Sequence, residues 1–489
     1  MSRSYKFSCS LLRPAVVCGT LLAGCTSSRE TVPLREIYSE SAQRIGNDRD
    51  PVVVIPGILG SRLIEPSTGQ IVWGAFTYGA ADADYPDGAR LIALPMVEGV
   101  PLVDLHDSVR PDGVLESLEA NLSVLKVTAL EPYRGIIATL AAGRYVDRDI
   151  ALAHAGPKPS YVGESGPIDY AGAHFSCFQF DYDWRRDISE NASRLDALIR
   201  SAAEATKAQR LAEGNNRPVK IDVVAHSMGG LVLMYYLRYG TQPLPEDGSL
   251  PPLSWAGAER VGNAVLVGTP SGGSVLALKQ LVEGVSYSPI VPEYRPAIIG
   301  TMPALYQLLP RVRHRRIVDA QTGQPIDFFN VETWEKYKWG LVNPEQDAYL
   351  QWLLPDVSDP ARRWEAAIDH LRKCLARAQQ LHQALDIPSP PPAGLSISLV
   401  LGDAEQTPSV LEVDARSGAV RVREFAPGDG TVTRASALMD ERVGAEFSAR
   451  LRTPIRWDHV QFIAADHISL TSQPAFIDGL LYELLESPR

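Results

Sequence analysis

A serine flanked by small residues stands between a predicted strand and a predicted helix. Residues 221–226 are mostly apolar and β-branched, which is typical of a buried strand, and 231–237 favours a helix. Ala225 and Gly229, two residues before and after Ser227, leave room for the sharp turn that exposes a hydroxyl on strained backbone. Ser227 is therefore a candidate nucleophile, although a serine at this point could also simply cap the helix.

A serine hydroxyl is a weak nucleophile at neutral pH and needs a histidine base that an acid holds in place. In folds with this turn the chain order is serine, acid, histidine, and both partners lie in loops after late strands. His467 follows the predicted strand 455–463 and precedes a predicted final helix, whereas His459 falls inside that strand. We therefore expect His467 to be the base, and we expect His226, which adjoins the serine, to have a structural hydrogen-bonding role.

Three aspartates compete for the role of the acid. Asp429 stands in a turn between two glycines, where the backbone can present a carboxylate inward. Asp403 follows the predicted strand 396–401, and Asp440 comes later in the chain. Position alone does not separate Asp403 from Asp429.

Two backbone N–H groups are candidates for stabilising the oxyanion of a tetrahedral intermediate. Met228 follows the serine directly and begins the predicted helix, where the helix dipole favours negative charge. Ile58 lies in the turn after the predicted strand 52–55, and Gly57 and Gly60 let this turn approach a substrate. We expect the two N–H groups to form an oxyanion hole.

Predicted strands and helices alternate along the chain, which indicates an α/β fold with a mostly parallel sheet and helices on both faces. Strand patterns occur at 52–55, 178–182, 221–226, 261–268, 396–401 and 455–463, and helical spacing at 133–142, 191–213, 364–385 and 477–485. The amphipathic block 274–394 interrupts the alternation, so we expect it to be an inserted, largely helical cap.

The predicted organisation has five parts. They are a signal peptide (1–24), a tether (25–48), the first part of the core (49–273, with a lid-like surface excursion at 64–115), the cap (274–394) and the second part of the core (395–489).

The first 25 residues have the composition of an export signal. Three basic residues precede a short apolar stretch, 14–23, that is too short to span a bilayer as a stable anchor. Leu22-Ala23-Gly24-Cys25 resembles a bacterial lipobox, so we expect Cys25 to be acylated and to anchor an exported protein to the periplasmic face of the outer membrane. Cleavage without lipidation is the alternative.

The composition excludes some function classes. Of 489 residues, 45% are hydrophobic and 21% charged, which is typical of a globular domain, and the net charge of −11 argues against a nucleic-acid partner. Cys177 and Cys374 are the cysteines that remain beyond Cys25, and they lack metal-ligand spacing. We expect two buried free thiols, with a disulfide as the alternative, and no metal or cofactor.

Six motifs in one order resemble the lecithin:cholesterol acyltransferase family, which includes a lysosomal acyl-transferring phospholipase. They are VVIPGILGS (53–61), YDWRR (182–186), VVAHSMG (223–229), GTPSGG (268–273), GDGTV (428–432) and DH (466–467). The resemblance covers nearly the whole predicted mature chain and implies an α/β-hydrolase fold with a cap. It also implies that Ser227, Asp429 and His467 are the triad and that the Ile58 and Met228 amides form the oxyanion hole.

The family comparison also bears on Trp73 and on the YDWRR motif. Trp73 is similar to the family's lid tryptophan and is our candidate substrate-binding residue, but no cysteines flank it to close the lid by a disulfide. Asp183 and Arg185 are expected to form a buried ion pair rather than to contact substrate.

The resemblance implies a serine O-acyltransferase or phospholipase-type hydrolase that acts on glycerolipid esters. An acyl-serine would pass its acyl group to an acceptor alcohol or to water. The apolar segments 275–287 and 302–309 could line an acyl pocket or could be cap core. A carboxylesterase acting on short soluble esters and an inactive lipid-binding scaffold are the alternatives.

Overall fold

The structure is a computed structural model, and it describes most of the chain beyond residue 48. The described residues are 39–43, 49–76, 79–115, 118–122, 125–129, 132–149, 162–163, 166–167, 175–286, 292–442 and 448–488. The predicted signal peptide and Cys25 lie outside the described residues. Of the predicted tether, the helical turn Ser39–Gln43 lies inside them.

Six strands form one parallel sheet. They are β1 (Val52–Ile55), β2 (Cys177–Gln179), β3 (Ile221–His226), β4 (Val261–Val267), β5 (Ser396–Gly402) and β6 (His459–Ile463). Their order is β2-β1-β3-β4-β5-β6, and every neighbouring pair is parallel. The predicted α/β fold with a mostly parallel sheet is confirmed. Two strands differ markedly from their predicted ranges: β2 ends at Gln179 rather than at 182, and β6 begins at His459 rather than at 455.

The longer helices are α1 (Pro132–Ala142), α2 (Ile188–Ala212), α3 (Met228–Tyr239), α4 (Val275–Glu283), α5 (Pro360–Asp386) and α6 (Pro474–Leu485). Four of them, α1, α2, α3 and α6, cover the two faces of this sheet. Because successive strand residues point to opposite faces, Val53 and Val223 share one core with α2 and α3. Val54 and Val224 belong to a second core with α1 and α6. None of the helices described is both long enough and apolar enough to cross a bilayer.

The segment 64–115 was expected to be a surface excursion, and part of it is core instead. Strands Ser61–Glu65, Gln70–Trp73 and Arg110–Val114 form an antiparallel sheet, and a helix covers Pro86–Ile92. Ala83, Ala89 and Ile92 are almost fully buried. Some of the glycines and aspartates that suggested a loop, such as Gly69 and Gly99, occupy turns, but others lie inside the helix and the third strand.

The chain between β4 and β5 is largely helical, as is expected of a cap. Besides α4 and α5 it contains helices Pro296–Ile299, Pro303–Gln307, Val331–Tyr337 and Asp347–Leu353 and strand Ile317–Asp319. A hairpin of Glu405–Val413 and Val420–Gly428 follows β5 and pairs with that strand. Smaller elements are strands Ala75–Phe76, Leu118–Leu122, Leu125–Ala129, Val162–Gly163 and Gly166–Pro167, helix Arg434–Ala437, and 3₁₀ turns Leu102–Asp104, Ala256–Glu259, Val312–His314, Gly340–Val342, Pro344–Gln346 and Ser469–Ser472.

Candidate active site

Ser227 occupies the sharp turn between β3 and α3. Its backbone angles, φ 53° and ψ −126°, are unusual for a residue with a side chain, and its hydroxyl makes no capping hydrogen bond to the helix. The structure therefore disfavours the reading of Ser227 as a helix cap. Gly229 is required by space, because a Cβ there would lie 2.4 Å from the carbonyl oxygen of Pro56.

The structure brings Ser227, His467 and Asp429 together. Nε2 of His467 lies 3.0 Å from the Ser227 hydroxyl oxygen, and Nδ1 lies 2.7 Å from Oδ2 of Asp429. The main-chain N–H of His467 donates to the carbonyl of Asp429 at 2.8 Å. All three residues are at least nine-tenths buried. This is the arrangement that a serine nucleophile, its base and an orienting acid require.

The carboxyl ends of the central strands position these side chains. His467 follows β6, and Gly268, which follows β4, lies so close to its ring that a Cβ there would be 3.1 Å from Cε1. Gly402 ends β5, and a Cβ there would lie 2.7 Å from the Cβ of Asp429. The site therefore lies at the edge of a parallel sheet where ligands of such folds bind.

The competing residues lie elsewhere. Asp403 faces Arg434 at 3.6 Å, and Asp440 forms an ion pair with Arg442 at 2.7 Å. His459 begins β6 and is exposed. Of the three aspartates considered from the sequence, Asp429 is the one that contacts His467.

His226 supports the loop that carries His467. Its Nε2 lies 3.1 Å from the main-chain carbonyl oxygen of His467, so the ring donates this hydrogen bond. Burial lowers the pKa of His226 to about 3, so its ring is neutral at physiological pH. A buried neutral imidazole in this position orients its neighbour rather than exchanging protons with a substrate.

The two predicted oxyanion donors lie on either side of Ser227. Met228 is the first residue of α3, so its N–H has no acceptor within the helix. The turn that carries Ile58 lies against the serine, since a Cβ on Gly57 would be 2.8 Å from the Cβ of Ser227. Within the described residues, neither the Ile58 nor the Met228 N–H has a hydrogen-bond acceptor. Both are available for an oxyanion, and that role remains a prediction.

A cavity of about 180 Å³ opens next to Ser227 and is lined mostly by apolar side chains. Both segments considered for an acyl pocket contribute, with Leu276 and Ala277 from the first and Met302 and Leu305 from the second. No charged side chain is among its described lining residues. The cavity therefore suits an uncharged hydrocarbon chain better than a charged group.

Trp73 also lines this cavity. Its ring contacts Trp184 and Tyr294 edge-on, with centroids 5.5 and 5.6 Å away, and these two aromatic residues line the cavity as well. Sequence reasoning missed Tyr294 and did not connect Trp184 with the site, since an aromatic residue carries no local signal for which cavity it faces.

Asp183 and Arg185 form the expected buried ion pair at 2.8 Å, outside the cavity lining. Arg185 also bonds to Asp107 at 2.7 Å and to the carbonyls of Leu91 and Ile92. Burial by itself would raise the pKa of Asp183, but the adjacent Arg185 guanidinium holds that pKa below its ordinary value. Through these contacts Arg185 connects both ends of the segment 91–107 to the core.

Cys177 and Cys374 are both buried free thiols, and burial raises the pKa of each. Neither is therefore a reactive thiolate. Among the residues that the structure describes, no group of three or more His, Cys, Asp or Glu side chains is arranged to hold a metal ion.

Residues 175–350 match the family model described as lecithin:cholesterol acyltransferase, which confirms the resemblance carried by the motifs. One chain in the crystal structure of the Tle4-Tli4 complex is 18% identical to this protein. The match covers 89% of this chain and 98% of that chain, with a TM-score of 0.50. Lipase 1 from Pelosinus fermentans is 14% identical, and the match covers 64% of this chain and 90% of the lipase, with a TM-score of 0.27. EstA from Clostridium botulinum is 12% identical, and the match covers 91% of this chain and 89% of EstA, with a TM-score of 0.31.

None of the curated proteins matches this chain significantly. The likeness to the Tle4-Tli4 structure is one of fold. The family match supports an enzyme that acts on acyl esters.

Proposed function

We propose that this protein is a serine acyltransferase or phospholipase-type acyl hydrolase that acts on glycerolipid esters, with Ser227, His467 and Asp429 as its triad. The observation that carries the proposal is the 3.0 Å contact between Nε2 of His467 and the Ser227 hydroxyl, beside an apolar cavity. The match of residues 175–350 to an acyltransferase family supports the same chemistry.

In the acylation step the Ser227 oxygen attacks the ester carbonyl while Nε2 of His467 accepts its proton. Negative charge on the carbonyl oxygen is stabilised by the N–H groups of Ile58 and Met228. As the bond to the leaving alcohol breaks, His467 gives that alcohol its proton. Asp429 keeps the Nδ1 proton in place and stabilises the charged ring.

In the second step His467 takes a proton from water or from an acceptor alcohol as that molecule attacks the acyl-serine, and it gives the proton to the Ser227 oxygen as the acyl bond breaks. Hydrolysis and transfer share the same intermediate and differ only in which nucleophile reaches it. The segment 274–394 supplies more than half of the cavity lining, and in this proposal it caps the acyl chain. A charged head group stays outside, because the lining offers it no partner.

The Ser227→Ala variant tests the proposal. A fluorophosphonate probe should label the wild-type protein and fail to label Ser227→Ala. Ser271→Ala is the control, because Ser271 is also a buried serine, in the turn after β4, but lies outside the triad. Labelling that persists in Ser227→Ala, or that is absent from the wild-type protein, would contradict the proposal.

Phospholipid vesicles that contain a long-chain alcohol test the substrate and the reaction. We expect fatty acid and fatty ester products, both lost in Ser227→Ala. A carboxylesterase would instead cleave short-chain nitrophenyl esters and leave the vesicles intact. That result would favour the alternative function with the same triad.

We also propose that the protein is exported and anchored through Cys25 to the periplasmic face of a bacterial outer membrane. The lipobox-like sequence Leu22-Ala23-Gly24-Cys25 supports this proposal. Cell fractionation tests it, since the Cys25→Ala variant should move from the membrane fraction to the soluble fraction. Unchanged membrane association would contradict it.

A further inference from the structure

The turn 56–60, which carries the Ile58 amide, forms hydrogen bonds with aromatic side chains of separate segments. The Tyr182 hydroxyl donates to the carbonyl of Pro56 at 2.9 Å. The indole N–H of Trp73 donates to the carbonyl of Leu59 at 2.8 Å. Leu59 has a φ of 65°, an uncommon backbone conformation that such contacts must maintain.

Tyr133 forms a third hydrogen bond with this turn, at the residue next to the predicted oxyanion donor Ile58. Tyr133 lies in the first turn of α1 and is only 2% exposed. Its hydroxyl oxygen accepts the N–H of Gly57 at 2.8 Å, in a buried environment. This bond orients the residue that directly precedes Ile58.

The direction of the Ile58 N–H follows from the way Gly57 is held. The carbonyl of Gly57 accepts the N–H of Gly60 at 3.1 Å and so points into the turn. In a trans peptide the C=O and the following N–H point in opposite directions. The Ile58 N–H therefore points away from the turn. Two hydrogen bonds set this direction: the N–H of Gly57 donates to the Tyr133 hydroxyl, and the carbonyl of Gly57 accepts from Gly60.

Tyr133 also contacts the residue that supports the base. Its ring packs edge-on against His226, with centroids 5.7 Å apart and planes at 75°. His226 in turn donates to the main-chain carbonyl of His467. One buried ring thus contacts both the oxyanion turn and the support of the histidine loop.

We propose that Tyr133 is a positioning residue, whose hydroxyl fixes Gly57 so that the Ile58 N–H meets the oxyanion. The inference rests on the proposed function, in which the Ile58 N–H stabilises the tetrahedral intermediate. Tyr133 is absent from the cavity lining, so its loss should weaken binding of the transition state and leave substrate binding unchanged.

The Tyr133→Phe variant tests the proposal, because it removes one oxygen and keeps the ring. We expect kcat on a nitrophenyl ester to fall about tenfold or more while KM stays within about twofold, since a displaced oxyanion donor acts only in the transition state. The inhibition constant of an alkyl trifluoromethyl ketone, which forms a tetrahedral adduct with the serine, should rise by a similar factor.

Tyr239→Phe is the matched control. The Tyr239 hydroxyl is also buried and donates to a backbone carbonyl, that of Ala384, at 2.7 Å, at the far end of α3 from Ser227. This variant should lose stability but keep the wild-type kcat and inhibition constant. If Tyr133→Phe does not fold, 4-fluorophenylalanine at position 133 preserves the volume and gives the same test.

The outcomes separate this inference from the proposed function. A wild-type protein without esterase activity would contradict the proposed function. An active wild-type protein whose Tyr133→Phe variant retains full kcat and full affinity for the ketone would overturn the positioning role alone. A fall in kcat with a matching loss of ketone affinity, absent from Tyr239→Phe, would support it.

Discussion

Oδ2 of Asp429 lies 2.7 Å from Nδ1 of His467, while Oδ1 of the same carboxylate accepts the N–H groups of Thr431 and Val432. The backbone of the turn after Asp429 thus fixes the carboxylate, and the carboxylate fixes the imidazole. Nδ1 keeps its proton in this arrangement, and Nε2 is left to accept the proton of Ser227.

Replacing Asp429 with asparagine should lower kcat by about 10³- to 10⁴-fold, because an amide can donate to Nδ1 and so favours the wrong tautomer. Steady-state hydrolysis of a nitrophenyl ester measures the effect. Asp403→Asn is the control and should stay near wild-type activity, since Asp403 faces Arg434 instead. The assignment of the acid would be wrong if the two variants exchanged these results.

Filling the cavity at Ala277 should change the acyl chains that the enzyme accepts. Ala277 is 5% exposed and lines the cavity from α4, so Ala277→Phe should shorten the available space. We expect kcat/KM for a dodecanoyl ester to fall at least about tenfold relative to that for a butanoyl ester, because the longer chain loses buried apolar contact. Ala208→Phe, on the exposed side of α2, should leave the ratio unchanged. Equal losses on both esters would argue against an acyl site in this cavity.

Removing the Arg185 guanidinium should destabilise the fold strongly. Arg185→Met leaves the carboxylate of Asp183 buried without its partner, which costs about 3–5 kcal/mol in the free energy of unfolding. Urea unfolding measures it. The control Arg362→Ala breaks the exposed pair with Glu98, where each side chain is more than half exposed, and should change stability by less than about 1 kcal/mol. Similar values for both variants would refute the structural role of Arg185.

Acidification below pH 6.5 should destabilise the protein through its buried histidines. Burial lowers the pKa of His226 and His382 to about 3 and that of His370 to about 4, from an ordinary value of 6.5. The unfolded chain therefore binds more protons between about pH 4 and 6.5, and stability is lost as the pH falls through that window. Glu190 acts in the opposite direction, because burial raises its pKa to about 7.

These three histidines outweigh the one carboxyl, and His314, whose pKa burial also lowers, acts in the same direction, so the free energy of unfolding should fall by at least about 2–3 kcal/mol from pH 6 to pH 5. Urea unfolding at the two pH values measures this difference. His382→Gln, whose amide can still donate to the carbonyl of Gln307, should reduce the difference by about 1.4 kcal/mol. An unchanged or larger difference in this variant would show that His382 does not contribute.

The turn at Ser227 and the parallel sheet could be predicted from the sequence because their signals are local. A β-branched run, a serine between small residues and an apolar helical stretch are adjacent in the chain, and their types alone restrict the backbone to a strand, a turn and a helix. The predicted strand 455–463 likewise favoured His467 over His459, since a base must lie in a loop rather than inside a strand.

The family resemblance implied Asp429 as the acid, but position in the chain did not separate it from Asp403, and the cavity and the role of Tyr133 were decided by the tertiary structure. Asp403 and Asp429 both follow strands, and only the path of the hairpin after β5 brings Asp429 to His467 and leaves Asp403 beside Arg434. Tyr133 meets Gly57 across 76 residues of chain. Packing between distant segments creates such contacts. Neither the type of a residue nor the pattern of its neighbours in the chain indicates which distant residue it will contact.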